Sequence, residues 1–392
     1  MQNKEAINLP RLEEEYLTDR SFPWKLRPCY ALPADATVED MRARAVQAMK
    51  DSVSIPWQTD QPIRYTKALG GAGSYDLEPG ISFSGLPYTS SASGIFSWLE
   101  YVSRENGHIQ DAPFDRLGFE LGNACAPAVS WAQHAVCPSV AMGLVCRWYL
   151  PVNGYEPVGN VKIPEGITDY VDYPTKIVQK DAGKEAVLEA YTLALPADTL
   201  IKSGLLPGQH TMMVGEEPVV VRDENGEIDM DKSFIRVVDQ RSVEYPVEQD
   251  GKEMSRRGRI LAEVPFRLLY EEGYIVVRPR AWIERAPYEP AWVKMIPAVW
   301  DPDDVLHARF RSNYRIAVIR TELISPEGEV IALRLNLPTG QLSQRYWQQG
   351  FDGQDIPEYK EFLQKREENP EAHVRITIRV ATGEAFVCEE EK

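Results

Sequence analysis

The sequence predicts an α+β protein that ends in an all-β part. Helical patterns come first: residues 37–40 have the spacing of a helix capping box, and an apolar stripe at helical spacing follows to about Lys50. Short runs of β-branched residues, separated by Gly, Pro and Asn turns, fill residues 205–240, and almost every run after 256 has the composition of a strand. Helices followed by antiparallel strands are typical of an α+β fold.

Three units follow from these patterns. Residues 1–29 are an irregular, Pro-punctuated N-terminal extension, and residues 30–255 carry the helices and the first group of strands. Residues 256–392 contain five β-branched runs, interrupted by one helical insert at 356–369. That pattern predicts a β-sandwich domain of immunoglobulin-like type.

Composition excludes several classes of function. The chain of 392 residues has 43 Lys and Arg against 59 Asp and Glu, for a net charge of −16. Such an acidic surface repels nucleic acid and anionic membranes, so we expect neither as a partner. No apolar run approaches the ~18 residues of a membrane span, and the first twenty residues contain no apolar signal-peptide core. A removed leader would leave the same picture, so the compartment is open: cytoplasmic without a leader, extracytoplasmic with one.

One cysteine has the sequence context of a nucleophile. The five cysteines are scattered and odd in number, which argues against a zinc site or a disulfide framework. Asn123 as an N-cap and Pro127 in the first turn predict that Cys125 lies at a helix start. There the helix dipole favours a thiolate, and free backbone N–H groups can receive an oxyanion. The alternative, a buried cysteine that packs as a small apolar residue, is our interpretation of the other four, at 29, 137, 146 and 388.

His210 is the best candidate for the base. It opens a strand directly after a Pro-Gly turn, whereas His134, nine residues after Cys125, points to the opposite face of the same helix. A purely structural strand-end histidine is the alternative. A third group must orient the ring, and the next strand ends in Asp239 and Gln240. Because strand side chains alternate, only one of these two faces His210, and the pattern leaves both open.

Three short segments carry a family resemblance: GLPY at 85–88, GNAC at 122–125 and PGQHTMMV at 207–214. Together they resemble the NlpC/P60 family of papain-like cysteine peptidases, which implies a papain-like fold for residues 30–255. The resemblance implies Cys125 as nucleophile, His210 as base and Gln240 as the orienting residue, with the Tyr88 hydroxyl near the thiol. We place two more side chains, Asn123 and Trp57, with Tyr88 in the substrate cleft.

The implied function is a hydrolase of the peptidase or amidase type. It would cleave an amide bond in a bacterial cell-wall peptide through an acyl-enzyme, without metal or organic cofactor. Ala124 and Ala126 replace the Asp and Ser that hold the free amine of the wall peptide in several members of that family. Two alternatives remain: a catalytically reduced papain-fold protein that binds peptides or wall ligands, and a surface-adhesion protein whose β domain is the working part.

Overall fold

The computed structural model of the chain describes most of its length. The described residues are 6–17, 23–65, 75–89, 94–109, 121–140, 150, 153–169, 171–204, 208–297, 305–338, 345–348 and 357–390. They form a mixed α+β structure. No helix among them is long and apolar enough to cross a membrane.

Eight helices lie in this part of the chain: α1 (Val38–Ser52), α2 (Gly94–Leu99), α3 (Cys125–His134), α4 (Thr175–Ala182), α5 (Lys184–Thr192), α6 (Phe266–Glu272), α7 (Arg280–Ile283) and α8 (Pro357–Glu368). A 3-10 turn covers Val305–His307. The capping box predicted for α1 is confirmed, with the Thr37 hydroxyl accepting from Asp40 N–H and the Asp40 carboxylate accepting from Thr37 N–H.

The described strands are β1 (Ile7–Asn8), β2 (Pro56–Thr59), β3 (Ile63–Tyr65), β4 (Tyr75–Leu77), β5 (Ser82–Ser84), β6 (His108–Ile109), β7 (Tyr155–Pro157), β8 (Thr199–Lys202), β9 (His210–Val214), β10 (Phe234–Gln249), β11 (Lys252–Pro265), β12 (Ile275–Pro279), β13 (Val293–Ile296), β14 (Arg309–Ser312), β15 (Ile316–Ile324), β16 (Val330–Asn336), β17 (Tyr346–Gln348), β18 (His373–Val380) and β19 (Ala385–Glu389).

A nine-stranded sheet organises the first part of the molecule. Its order is β6-β2-β5-β11-β10-β9-β8-β12-β7; at its centre β9, β10 and β11 are antiparallel to one another, and β11 pairs with β5 in parallel. Helix α3 packs against β9, β10 and α1. Buried apolar side chains such as Val129 surround α3, and Gln133 donates from Nε2 to the Thr199 hydroxyl on β8. This packing fixes the start of α3 beside the start of β9.

The predicted domain boundary at 255/256 does not coincide with a break in this sheet. It falls inside β11, and β12 extends the same sheet to Pro279. The reason is a long hairpin: β10 and β11 are joined through Asp250 and Gly251, both with positive φ. Asp-Gly is a strong signal for a two-residue hairpin turn, so these residues continue the first sheet rather than begin a second domain.

The rest of the C-terminal part contains two four-stranded sheets, with the orders β1-β13-β14-β17 and β16-β15-β18-β19. Their buried side chains share one apolar cluster, which includes Phe310 and Ile376. The N-terminal segment belongs to this unit, because β1 pairs with β13 and Leu12 N–H donates to the Ala385 carbonyl. The helical insert predicted at 356–369 is present as α8.

Candidate active site

Cys125 is the first residue of α3. Its N-cap is Ala124, which contributes no side-chain hydrogen bond, and not Asn123 as the sequence predicts. The N–H groups of a first helical turn have no intrahelical acceptor, and Ala124 at the N-cap position has no side-chain acceptor to offer them. The start of α3 can therefore stabilise negative charge both on the sulfur and on an atom bound next to it.

A short loop holds Tyr88 against the start of α3. Asn123 N–H donates to the Pro87 carbonyl at 3.0 Å, and Thr89 N–H donates to the Asn123 carbonyl at 3.3 Å, so the two segments pair like parallel strands. Gly122 is required here, because a Cβ on it would lie 2.3 Å from the Pro87 oxygen. The pairing places the Tyr88 hydroxyl 3.7 Å from the Cys125 sulfur, to which it donates a hydrogen bond. The predicted proximity of hydroxyl and thiol is confirmed.

His210 is the first residue of β9, and its imidazole lies between Cys125 and Asp239. Its imidazole lies close enough to Cys125 to lower the pKa of the thiol, and its Nε2 lies 2.7 Å from Asp239 Oδ2. Because Nε2 is committed to the carboxylate, Nδ1 is the nitrogen left for the sulfur. The side chain is 16% exposed, so the pair is shielded but reachable.

The residue that orients His210 is Asp239, and the expectation of Gln240 is wrong. In the β9–β10 ladder Val238 lies opposite Met213, which puts residue 239 on the same face as His210 and residue 240 on the other. Gln240 instead donates to the Leu86 carbonyl, in the loop that carries Tyr88. Gln240 thus supports the position of Tyr88 and does not touch the imidazole.

Arg259 fixes Asp239 from the next strand. It lies directly opposite Asp239 in the β10–β11 ladder and donates twice, from Nε to Oδ1 at 3.0 Å and from Nη2 to Oδ2 at 2.8 Å. This two-point contact sets the plane of the carboxylate, which is fully buried. Arg259 was not among the site residues predicted from the sequence.

The electrostatics favour an ion pair between sulfur and ring. Burial opposes ionisation of Cys125, but the hydrogen bonds from His210 and Tyr88 and the imidazole charge outweigh it, so the thiol pKa is lowered. Burial likewise opposes the charged form of His210, yet Asp239 and Cys125 raise its pKa from 6.5 to about 9. Burial also disfavours the Asp239 carboxylate, but His210 and Arg259 lower its pKa to about 2. A thiolate beside an imidazolium is the form of cysteine that attacks carbonyl carbon.

A cleft of about 510 Å³ opens beside this group. His210 and Tyr88 are among its lining residues, together with polar and apolar side chains from β8, β9, β10, β11 and α6. The volume is in the range of small-molecule and peptide sites.

Two residues predicted in the cleft lie elsewhere. Trp57 is buried, stacks on Phe83 with ring centroids 4.3 Å apart, and donates from Nε1 to the Gly85 carbonyl at 2.9 Å. Asn123 is also buried, and its Oδ1 accepts from Gly94 N–H. The sequence around an isolated tryptophan or a helix-flanking asparagine does not show whether the side chain is buried in the core or lines a cleft. Here both side chains are buried in the core.

The other histidines have different settings. His134 is buried near the C-terminal end of α3, where Nδ1 donates to the Val140 carbonyl and Nε2 accepts from Arg315 N–H. Burial lowers its pKa to about 3, so it is a neutral structural residue. His108 contacts Asp60 at the surface. Of the five histidines, which are all in the described ranges, only His210 lines the cleft.

The remaining described cysteines lack activation. Burial raises the pKa of Cys29 to about 11 and that of Cys388 to about 12, and it also raises the pKa of Cys137. Cys146 lies outside the described residues. No group of three or more Cys, His, Asp and Glu that could hold a metal ion occurs within the described ranges.

Comparison with known proteins gives no independent assignment: no family model, curated protein or solved structure matches the chain.

Proposed function

We propose that this chain is a cysteine hydrolase of the peptidase or amidase type, with Cys125 as nucleophile, His210 as acid and base, and Asp239 as the group that orients the ring. One observation carries the proposal: the connected series Cys125–His210–Asp239–Arg259, in which each neighbour stabilises the charge that the chemistry requires. A buried structural cysteine would have a raised pKa, as the other described thiols do.

In the first half-reaction the Cys125 thiolate forms a C–S bond with the amide carbon. The carbonyl oxygen takes the negative charge and is stabilised by N–H groups at the start of α3. His210 then donates its Nδ1 proton to the amide nitrogen, the C–N bond breaks, and the amine leaves. The enzyme is left as a thioester with neutral His210.

In the second half-reaction His210 accepts a proton from water. The resulting hydroxide attacks the thioester carbon, the C–S bond breaks, and the carboxylic acid leaves. Thiolate and imidazolium are then restored, so the sum is one amide and one water converted to an acid and an amine. Asp239 keeps its negative charge throughout and holds Nε2–H.

A bacterial cell-wall peptide is the substrate class that the NlpC/P60 resemblance implies. The proposed chemistry needs only an accessible amide, and Ala124 and Ala126 offer no polar side chain for a free amine. We therefore place wall peptides first in a screen that also includes ordinary peptides.

The test is incubation with a digest of bacterial wall peptides and with a mixed tryptic digest, followed by mass spectrometry of both products and protein. We expect hydrolysed amides together with an acyl adduct on Cys125, and neither with the Cys125→Ala variant. His210→Ala should form no adduct at neutral pH. Hydrolysis that survives Cys125→Ala would refute the proposal, and absence of both products and adduct in both digests would favour the binding-protein alternative.

A further inference from the structure

The cleft beside His210 carries a charge opposite to that of the whole chain. Three cationic side chains line it, Lys202, Arg241 and Arg259, against one carboxylate, Glu272. The chain as a whole has a net charge of −16. A locally positive cleft on an acidic protein concentrates anionic ligands.

Two of the three cations already have partners. Arg259 donates twice to Asp239, and Lys202 contacts Glu272. The Arg241 guanidinium makes no hydrogen bond to another described residue. The carboxylate oxygen nearest to its Nε, Asp239 Oδ2, is 4.0 Å away. Arg241 is therefore the cation in this cleft whose hydrogen-bonding capacity is left for a ligand.

Backbone geometry directs Arg241 into the same cleft as the reacting pair. It lies two residues after Asp239 on β10, so both side chains are on the face that carries His210. Arg241 lines the same cleft as His210 and Tyr88, the two residues that flank the Cys125 sulfur. A ligand bound in this cleft therefore lies beside the reacting pair and the Arg241 guanidinium.

The walls of the cleft fit a ligand with an apolar stem. Its lining includes two buried apolar side chains, Met212 and Val264. Leu268 and Val243 add side chains that are 46% and 53% exposed. Exposed apolar side chains next to an unsatisfied guanidinium are suited to an alkyl group that ends in a carboxylate.

We propose that this cleft binds the leaving-group half of the substrate, and that Arg241 pairs with a carboxylate on that half. The inference rests on the proposed function: His210 delivers its proton to the leaving nitrogen, and the cleft continues from His210, so what it holds belongs to the leaving amine. The substrate class is then an amide formed on the amino group of an amino acid or peptide that keeps a nearby free carboxylate.

The test uses two matched alkylating probes, N-(iodoacetyl)glycine and N-(iodoacetyl)glycinamide, which differ only in the terminal carboxylate. The rate of Cys125 alkylation by each is measured by mass spectrometry on the full chain and divided by the rate with free 2-mercaptoethanol. The quotient of the two corrected rates reports the preference for a carboxylate, independent of the intrinsic reactivity of the thiol.

We expect the carboxylate probe to be preferred by wild type, and Arg241→Gln to reduce that preference about twofold to fivefold, the range expected when a partly exposed charge pair is lost. Arg241→Lys should keep part of it, and high salt should weaken it. The matched control is Arg236→Gln, which removes the same charge from the same strand. Arg236 pairs with Glu216 and Glu263, does not line the cleft, and its loss should leave the preference unchanged.

Three negative outcomes are distinguishable. Fast alkylation by the neutral probe, dependent on His210, with a preference that Arg241→Gln does not change, would overturn this inference and leave the proposed function intact. Slow alkylation by both probes, at the rate of the other cysteines, would overturn both. A changed pH profile for the neutral probe in Arg241→Gln would show that Arg241 only positions Asp239, and would also contradict the carboxylate site.

Discussion

Removal of the charge on Asp239 should lower the pKa of His210. The rise of that pKa from 6.5 to about 9 corresponds to about 3.4 kcal/mol of preference for the imidazolium, at about 1.4 kcal/mol per pKa unit. Asp239 and Cys125 produce this rise against the cost of burial, and the Asp239 hydrogen bond is the largest favourable contribution. Asp239→Asn should therefore remove about 2 kcal/mol of the preference, and the loss is increased by Arg259, whose charge then faces the ring unopposed.

The titration midpoint of His210 should move to lower pH in this variant, because the pKa of His210 is raised in the wild type. A His210 pKa held high keeps the ring protonated until the pH rises through about 9, so in Asp239→Asn the ring should lose its proton at a pH nearer 6.5. NMR titration of the imidazole Cε1–H resonance measures this directly, with His210 assigned from the spectrum of His210→Gln. Asp231→Asn is the matched control, because Asp231 pairs with Arg267 at the surface, away from the cleft. An unchanged His210 midpoint in Asp239→Asn would refute the reasoning.

Three further predictions concern the residues around this pair. Arg259→Gln removes one of the two cationic partners of a buried carboxylate and should lower the free energy of unfolding by about 3 kcal/mol, whereas Arg267→Gln at the surface should cost less than about 1 kcal/mol; urea titrations at pH 7 compare the two. Tyr88→Phe removes the donor to the sulfur and should slow alkylation of the thiol at pH 6 about threefold, with little change in urea midpoint. Gly85→Ala should destabilise the chain and slow the same alkylation, because its φ is +83° and a Cβ would lie 2.6 Å from Val53 backbone atoms, while Gly80→Ala, with φ +80° and open space, should show the cost of φ alone.

The pairing of Cys125 with His210 could be predicted because the signals for both positions are local. A helix start at Cys125 and a strand start at His210 each follow from a few neighbouring residues, and the structure brings the two side chains together. The capping box of α1 and the insert α8 were predicted on equally local grounds. Local backbone preferences survive folding wherever packing does not oppose them.

The orienting group could not be predicted, because it depends on strand register. Whether residue 239 or 240 faces His210 is decided by the pairing of β9 with β10, which a single strand does not encode. The contact between Arg259 and Asp239 depends on strand register as well. An uninterrupted ladder from the Asp250-Gly251 turn would put Ala262 opposite Asp239, and register shifts in β10–β11 put Arg259 there instead.

The domain boundary was misplaced for a related reason. Strands of the first sheet and of the C-terminal sheets are both rich in β-branched residues. The increase in strand-like runs after residue 256 therefore does not show which sheet each strand joins. Trp57 and Asn123 were misassigned because burial is set by long-range packing. Asn123 is held by the pairing of its segment with the loop at Tyr88, and Trp57 is held by its hydrogen bond to the Gly85 carbonyl.

Alkylation of Cys125 by iodoacetamide across pH 5 to 9, in wild type and in His210→Ala, tests the central claim most directly. Cys29, Cys137 and Cys388, whose pKa values are raised, are internal references in the same native protein. We predict that Cys125 is alkylated below pH 7, where the three reference cysteines are not. His210→Ala should abolish this alkylation at low pH. A Cys125 rate that follows the references, or that is the same in His210→Ala, would contradict the thiolate–imidazolium pair and with it the proposed hydrolase.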